Sequence, residues 1–358
     1  MNISDTPFIR LHNQQLTQTN FKTAKELVNW MGALQAQDYN QAKWALGVRL
    51  PHLTAEQIET TFNQGDFIRT HLMRPTWHFV SPDDIYWLLE LTAKQIKSAM
   101  KARNRQLELT EEVFRKSQEV MINVLEGNRS LTREELGVYL NNAGIKTADQ
   151  RLPHILMEAE IDGIICSGGI REKKQTYALL SERVPEKKSL TKDEALALLA
   201  RKYFTSHGPA TLADFVWWSG LPVSEARKAL ALNKDVLFSE IHESDTYWFS
   251  GSFSHQKPET DSVVLLPAFD EYLISYKNRS AAIEADHHAK AISSNGVFRP
   301  IIVVNGRISG LWKHTIKKDK LLIDLNHFRP HNQSEKRLIT RAAESFGHFS
   351  GMNTEVRF

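Results

Sequence analysis

One supersecondary pattern recurs along this chain and limits what it can fold into: three helices followed by a β-hairpin, returning at roughly 75–80 residues. The middle copy reads most directly. Residues 110–126 carry a helical period. A second helix, LTREELGVYLNNAG, follows Asn128 and Ser130, with Thr132 as N-cap, Glu135 at the capping-box position and Gly144 at its end. Residues 148–162 supply a third, and GIICSGGIREKKQTYAL reads as two short strands around a basic turn. The next copy runs from 192 to 251 in the same order, with VLFSEIHESDTYWFSG as its hairpin. The first spans the opening helix, AEQIETTFNQG and the strand pair FIRTHLMRPTWHFVS. Three helices and a β-wing make the winged-helix variant of helix-turn-helix, whose third helix enters the major groove of DNA while the wing touches the backbone. One copy is weak evidence, because such helices also serve as scaffold; tandem copies are better.

From Asp261 the pattern turns to strand: DSVVLLPAFDEYLI, VFRPIIVVNGRISGLWKHT and LLIDLNHF, with Asn305-Gly306 as a hairpin turn, before the helix SEKRLITRAAESFGHF. The expected fold class is α+β, with tandem winged-helix motifs and a C-terminal β-rich region. The expected divisions are 1–107, 108–184, 185–256 and 257–358. Linker signals sit at Val184-Pro185-Glu186-Lys187-Lys188 and at Lys257-Pro258.

Composition narrows the function. No stretch approaches the roughly 18–20 consecutive apolar residues of a membrane span. The opening MNISDTPFIRLHNQQ lacks a secretory pattern, so a cytoplasmic location is expected. The lone Cys166 forbids an internal disulfide and any four-cysteine metal site. A net charge of +3 permits nucleic-acid binding without demanding it. Positive charge concentrates in KQIKSAMKARNR (94–105), REKK (171–174) and KHTIKKDK (313–320), expected near turns or hairpins. Each run suits either a solvated face or a phosphate-contacting surface.

Two segments carry the densest chemistry. In Gln35-Ala36-Gln37, two amides flank a small residue where an amphipathic helix over 23–34 runs out. On a continued helix they would point about 200° apart; in extended chain, with a period of two, they leave the same side and converge. In Arg69–His78, RTHLMRPTWH, alternation places Arg69, His71 and Met73 on one face and Thr70, Leu72 and Arg74 on the other. Pro75 interrupts the ladder before Thr76, Trp77 and His78. Each histidine alone suits a structural hydrogen bond, but a packed core rarely requires so many polar side chains together. Metal spacing, a G-x-S-x-G elbow and a P-loop are all missing, and no metal or cofactor is expected. Asp270 and Glu271, in PAFDEYLISYKNRS with Lys277 and Arg279, form a carboxylate pair beside aromatic and basic partners. They suit a salt-bridged turn or a DNA-facing role.

GALQAQD (32–38), FIRTHLMRPTWHFV (67–80), LLPAFDEYLISYKNRS (265–280) and NGRISGLWK (305–313) together resemble the AlkZ/YcaQ-type winged-helix DNA glycosylases. The resemblance spans most of the chain. It implies three winged-helix motifs, excision of alkylated bases from double-stranded DNA, and unhooking of interstrand cross-links. It also implies a catalytic Gln-x-Gln or Gln-x-Asp motif, which here is Gln35 and Gln37. Arg69, His71, Arg74, Thr76, Trp77, His78, Asp270, Lys277, Arg279, Arg307 and Lys313 are expected to bind DNA or support the site, with the Asn305-Gly306 hairpin entering a groove. The expected enzyme is a monomer, working at the nucleoid. Neutral amides suit a cationic N7-alkylpurine, already a good leaving group, since the site need only hold a water and steady an oxocarbenium-like sugar. The rival is a winged-helix regulator without enzymatic activity. That reading calls for a sequence-specific site and usually a dimer.

Overall fold

Capping residues decide where the helices begin. The computed structural model describes residues 5–251 and 262–358, so the expected linker at Lys257-Pro258 lies outside the described residues. In the middle repeat, Thr132 Oγ1 accepts the Glu135 N–H at 3.2 Å while the Glu135 carboxylate accepts the Thr132 N–H at 2.7 Å, starting helix Arg133–Asn142. Helices Glu111–Leu125 and Arg151–Ile161 flank it in sequence. Met121, Leu125, Leu136, Leu140, Ile155 and Ala159 turn their apolar faces into one core with Ile165 and Leu179 of the hairpin. Each such side chain gains about 1.5–3 kcal/mol by leaving water. Strand Thr176–Leu179 lies between Ile165–Ser167 and the two-residue strand Leu131–Thr132 that precedes the second helix.

The next repeat has the same plan. Helices Lys192–Ser206, Leu212–Ser219 and Val223–Ala231 precede strands Leu237–His242 and Asp245–Ser250, the latter pairing also with Ala210–Thr211. In the first copy, helix Ala55–Gln64 leads to a hairpin of Ile68–Leu72 and Thr76–Val80, in register from Ile68↔Val80 to Leu72↔Thr76. Met73 lies in its turn at φ 61°, so it leaves the alternation expected to place it beside Arg69 and His71. The basic run 94–105 lies within the 22-residue helix Ile85–Gln106 rather than near a turn. No helix among the described residues is long and apolar enough to cross a membrane.

The C-terminal region holds a five-stranded sheet in the order Val263–Leu266, Ile301–Val304, Arg307–Lys317, Lys320–His327, Asn353–Arg357. All pairs are antiparallel except the last, a parallel strand that the sequence pattern did not announce. Trp312 of the sheet and Phe346 of helix Gln333–Ser350 meet edge to face at 5.0 Å. DSVVLLPAFDEYLI is strand only through Leu266; Glu271–Ile274 is a short helix capped by Asp270. The architecture is α+β. Its contacts form two compact units: residues 1–58, 196–218 and 222–358 in one, 59–195 and 219–221 in the other.

The Asn305-Gly306 turn departs from its expected role. Gly306 is packed, and a Cβ there would come within 2.5 Å of Pro7. The Tyr272 hydroxyl donates to Gly306 O at 2.5 Å, and Asn305 Oδ1 accepts the Ser262 N–H at 2.8 Å. A turn held this way is an internal joint rather than a free-standing tip, with Arg307 beside it exposed. The projecting tip is one hairpin further on, at Lys317, Lys318 and Lys320, beside Ile316, which is 59% exposed. Gly306→Ala should therefore destabilise the protein by about 2 kcal/mol or more, from a positive φ of 76° plus the clash. Chemical denaturation of the variant checks this, and a loss under about 0.5 kcal/mol, usual for a solvated surface position, would show an unpacked turn.

Candidate active site

Gln35-Ala36-Gln37 is pinned between two helix ends. Helix Ala24–Met31 starts on a Thr23/Glu26 capping box and stops at Gly32, whose φ of 77° suits a residue without a Cβ. Lys202 Nζ donates to the Asn29 carbonyl at 2.7 Å, placing a cation at the helix C-terminus. The chain is extended from Ala33 through Gln35, so the helix expected to reach Leu34 ends three residues sooner. Asp38 then caps helix Tyr39–Gly47, its Oδ1 accepting the N–H groups of Asn40 and Gln41. Gln35 is 5% exposed, whereas Gln37 is exposed.

A buried polar network supports this segment from the far end of the chain. Glu271, 1% exposed, accepts the Gln35 backbone N–H on Oε1 at 2.5 Å. Its Oε2 accepts Trp218 Nε1–H at 3.1 Å and the Ser275 hydroxyl. His207 Nε2 lies 3.4 Å from the same oxygen, and its ring stacks on Tyr203. The Tyr276 hydroxyl donates to His207 O at 2.7 Å and accepts from Gln14 Nε2 at 2.9 Å. Gln14 Oε1 in turn accepts from Arg49. Arg49 grips Asp270 with both terminal nitrogens, at 2.8 and 2.9 Å. Burial pushes the Glu271 carboxyl up, but the His207 ring beside it and the bonds from Ser275 and the Gln35 backbone outweigh it and hold the group at about 2. Burial lowers the His207 imidazole pKa despite the adjacent carboxylate.

The other expected residues fall in several places. Asp270 is 3% exposed and bonded to Arg49, so it is a framework carboxylate and cannot contact DNA. The exposed Lys277 and half-buried Arg279 bracket the Trp217 ring at 5.2 and 5.3 Å. Arg307 and Lys313 are exposed, Lys313 lying 3.8 Å from Asp324. Arg69, His71, Arg74, Thr76, Trp77 and His78 belong to the unit that does not contain the glutamines. There the Arg69 guanidinium lies 4.1 Å over Trp77, and the His71 ring, its cross-strand neighbour, is 4.2 Å from the same ring. His71 Nδ1 meets Glu160 Oε2 at 2.6 Å. Burial raises the Glu160 carboxyl, against the pull of His71. His78 is buried, its Nδ1 3.0 Å from Thr76 O; Arg74 and Thr76 are half-buried. Cys166 is buried, and burial pushes its thiol up to about 12, which removes it as a nucleophile. Sequence reasoning singled out Glu271 only as one of a pair and missed His207, Trp218, Ser275 and Arg49. No local pattern marks them, because Gln35 and Glu271 are 236 positions apart.

A folded pKa held below the ordinary value means that Glu271 stabilises the fold fully above about pH 4.5, and that this stability drains as pH falls toward 2. Glu335, held at about 2 by the Arg329 guanidinium, acts in the same window. The melting temperature should accordingly drop between about pH 5 and 3. Glu271→Gln should make that decline shallower without abolishing it. Thermal melts across this range give the comparison, and equal slopes would refute a charged Glu271.

A family model for AlkZ-like DNA glycosylases matches residues 28–349. The chain is 24% identical over 324 residues to the interstrand DNA cross-link repair glycosylase of Streptomyces sahachiroi, covering 85% of each protein. The solved structure of the Streptomyces sahachiroi DNA glycosylase AlkZ matches with a TM-score of 0.79 at 21% identity, over 99% of this chain and 98% of that one. That likeness shows a common fold. Since the family match runs through almost the whole chain, the protein belongs to the AlkZ-like DNA glycosylase family and is a DNA glycosylase.

Proposed function

We propose that this glycosylase removes cationic N7-alkylpurines from double-stranded DNA, with Gln35 and Gln37 as its catalytic pair, and that cross-linked purines are among its substrates. The observation that carries the reading is that the chain runs extended through Gln35 and bends at Gln37 between a helix that stops at Gly32 and one capped by Asp38, with Gln35 buried and Gln37 exposed. An alkylated N7 leaves the purine positively charged, so the glycosidic bond breaks with little need of a general acid. The remaining task is to place a water on the sugar carbon and to face the developing oxocarbenium ion with oxygen dipoles, both within reach of amide groups. The name of the Streptomyces relative supports the inclusion of cross-links.

The repeated modules fit winged helices: helix, short strand, two helices, then a hairpin closing a three-stranded sheet. In this reading they set the duplex by its backbone and not by its sequence. The lysine-bearing tip at 317–320, with Lys313 on the same strand, serves as a phosphate-contacting hairpin, the 171–174 turn as a second, and exposed Arg307, at the other end of that strand, as a separate phosphate contact. Affinity should then fall steeply with salt.

Duplex DNA carrying N7-methylguanine, followed by alkaline cleavage of abasic sites, tests the assignment. Wild-type protein is expected to release the base, while Gln35→Ala and Gln37→Ala slow release about 100-fold, the scale of lost positioning. Wild-type rates in both variants would refute the catalytic pair. No release from methylated or cross-linked duplex would refute the substrate class.

A further inference from the structure

We propose that Glu271 is a positioning residue for catalysis: its buried carboxylate takes the Gln35 backbone N–H and so holds the chain extended through Gln35, which sets where the bend at Gln37 begins, with Trp218 and Ser275 fixing the carboxylate in turn and the His207 ring packed beside it. This rests on the reading of Gln35 and Gln37 as the catalytic pair. The extended segment is short. It follows a left-handed glycine and precedes a helix cap, and either neighbouring helix could claim its residues. A charge-assisted bond of 2.5 Å to the Gln35 N–H opposes that, because a helical Gln35 would turn the same N–H toward Met31 O.

The chemistry demands a carboxylate. Oε1 faces one donor, while Oε2 faces the Trp218 indole N–H and the Ser275 hydroxyl. An ionised carboxylate accepts on both oxygens; an amide of the same shape must turn its NH₂ toward one side and set donor against donor. Helices Lys192–Ser206 and Leu212–Ser219 supply His207's stacking partner Tyr203 and the donor Trp218. The third repeated module is thereby assigned a task other than gripping DNA: it orients the residue that orients the glutamines. Glu271 touches no reacting atom in this scheme and acts through Gln35.

Single-turnover release of N7-methylguanine from duplex DNA, together with duplex affinity, tests the role. In Glu271→Gln the rate constant should fall about tenfold or more, and in Ser275→Ala and Trp218→Phe about two- to fivefold, with affinity within about twofold of wild type throughout. Loss of folded protein alone would lower the amplitude of release and leave the rate constant unchanged, which separates positioning from bulk stability. A wild-type rate constant in Glu271→Gln overturns the proposal. So do wild-type rate constants in both milder variants, the deciding measurement should Glu271→Gln fail to fold. Gln35→Ala and Gln37→Ala run alongside: if they are inactive while Glu271→Gln matches wild type, only the positioning role falls. If they match wild type, the catalytic pair itself falls.

Discussion

A carboxylate cut off from water is costly unless each oxygen finds a donor, and Glu271 meets that condition with groups drawn from three distant parts of the chain. The Gln35 N–H comes from the N-terminal segment, the Trp218 indole from the third repeat, and the Ser275 hydroxyl from the turn after Glu271 itself. Much of this unit's geometry follows from that arrangement. The same turn presents Asp270 to Arg49 and offers Ile274 O to the Trp217 indole at 2.7 Å. From Asp270 through Arg49, Gln14, Tyr276 and His207 to Glu271, the polar groups of the interior form one connected chain. Buried networks of this kind favour a single arrangement, since a slip strands further donors and acceptors.

In the proposed scheme, the arrangement also reconciles a neutral Gln-x-Gln motif with a cationic reaction. The amides of Gln35 and Gln37 bring no charge of their own, which suits a lesion already primed to depart. The nearby negative charge is on Glu271, which bonds the Gln35 backbone and not its side chain. A carboxylate in the motif itself would stabilise an oxocarbenium ion more strongly, so dependence on a labile lesion is the expected cost of using amides.

Much of the fold was legible because its signals are local. Thr132 with Glu135 marked a helix start through bonds made within a few residues, whereas the helix that stops at Gly32 ended at Met31, three residues before the expected end at Leu34. The hairpin of Ile68–Leu72 with Thr76–Val80 follows from alternation broken by Pro75. Asn305-Gly306 was correctly read as a turn between strands, yet its local signal carries nothing about Pro7, on which the turn rests. The parallel strand Asn353–Arg357 was missed for a similar reason: it is short and polar, and it exists only by pairing with Lys320–His327. For Asp270 a salt-bridged turn was the favoured reading and a DNA-facing role the alternative, and the sequence could not name its partner Arg49, 221 positions away.

By itself, the sequence determined the helices, the hairpins, their repetition and the two amides with the family resemblance they carry, because caps, periods and turns are short-range physics. Tertiary structure alone decided which carboxylate stands behind Gln35, which lysine-bearing hairpin projects and which turn is buried. The first depends on a bond between groups 236 positions apart, and the packed turn on Tyr272 and Pro7, neither of them a sequence neighbour of Gly306; the value of such contacts comes from shared exclusion from water, a property no local stretch of sequence possesses.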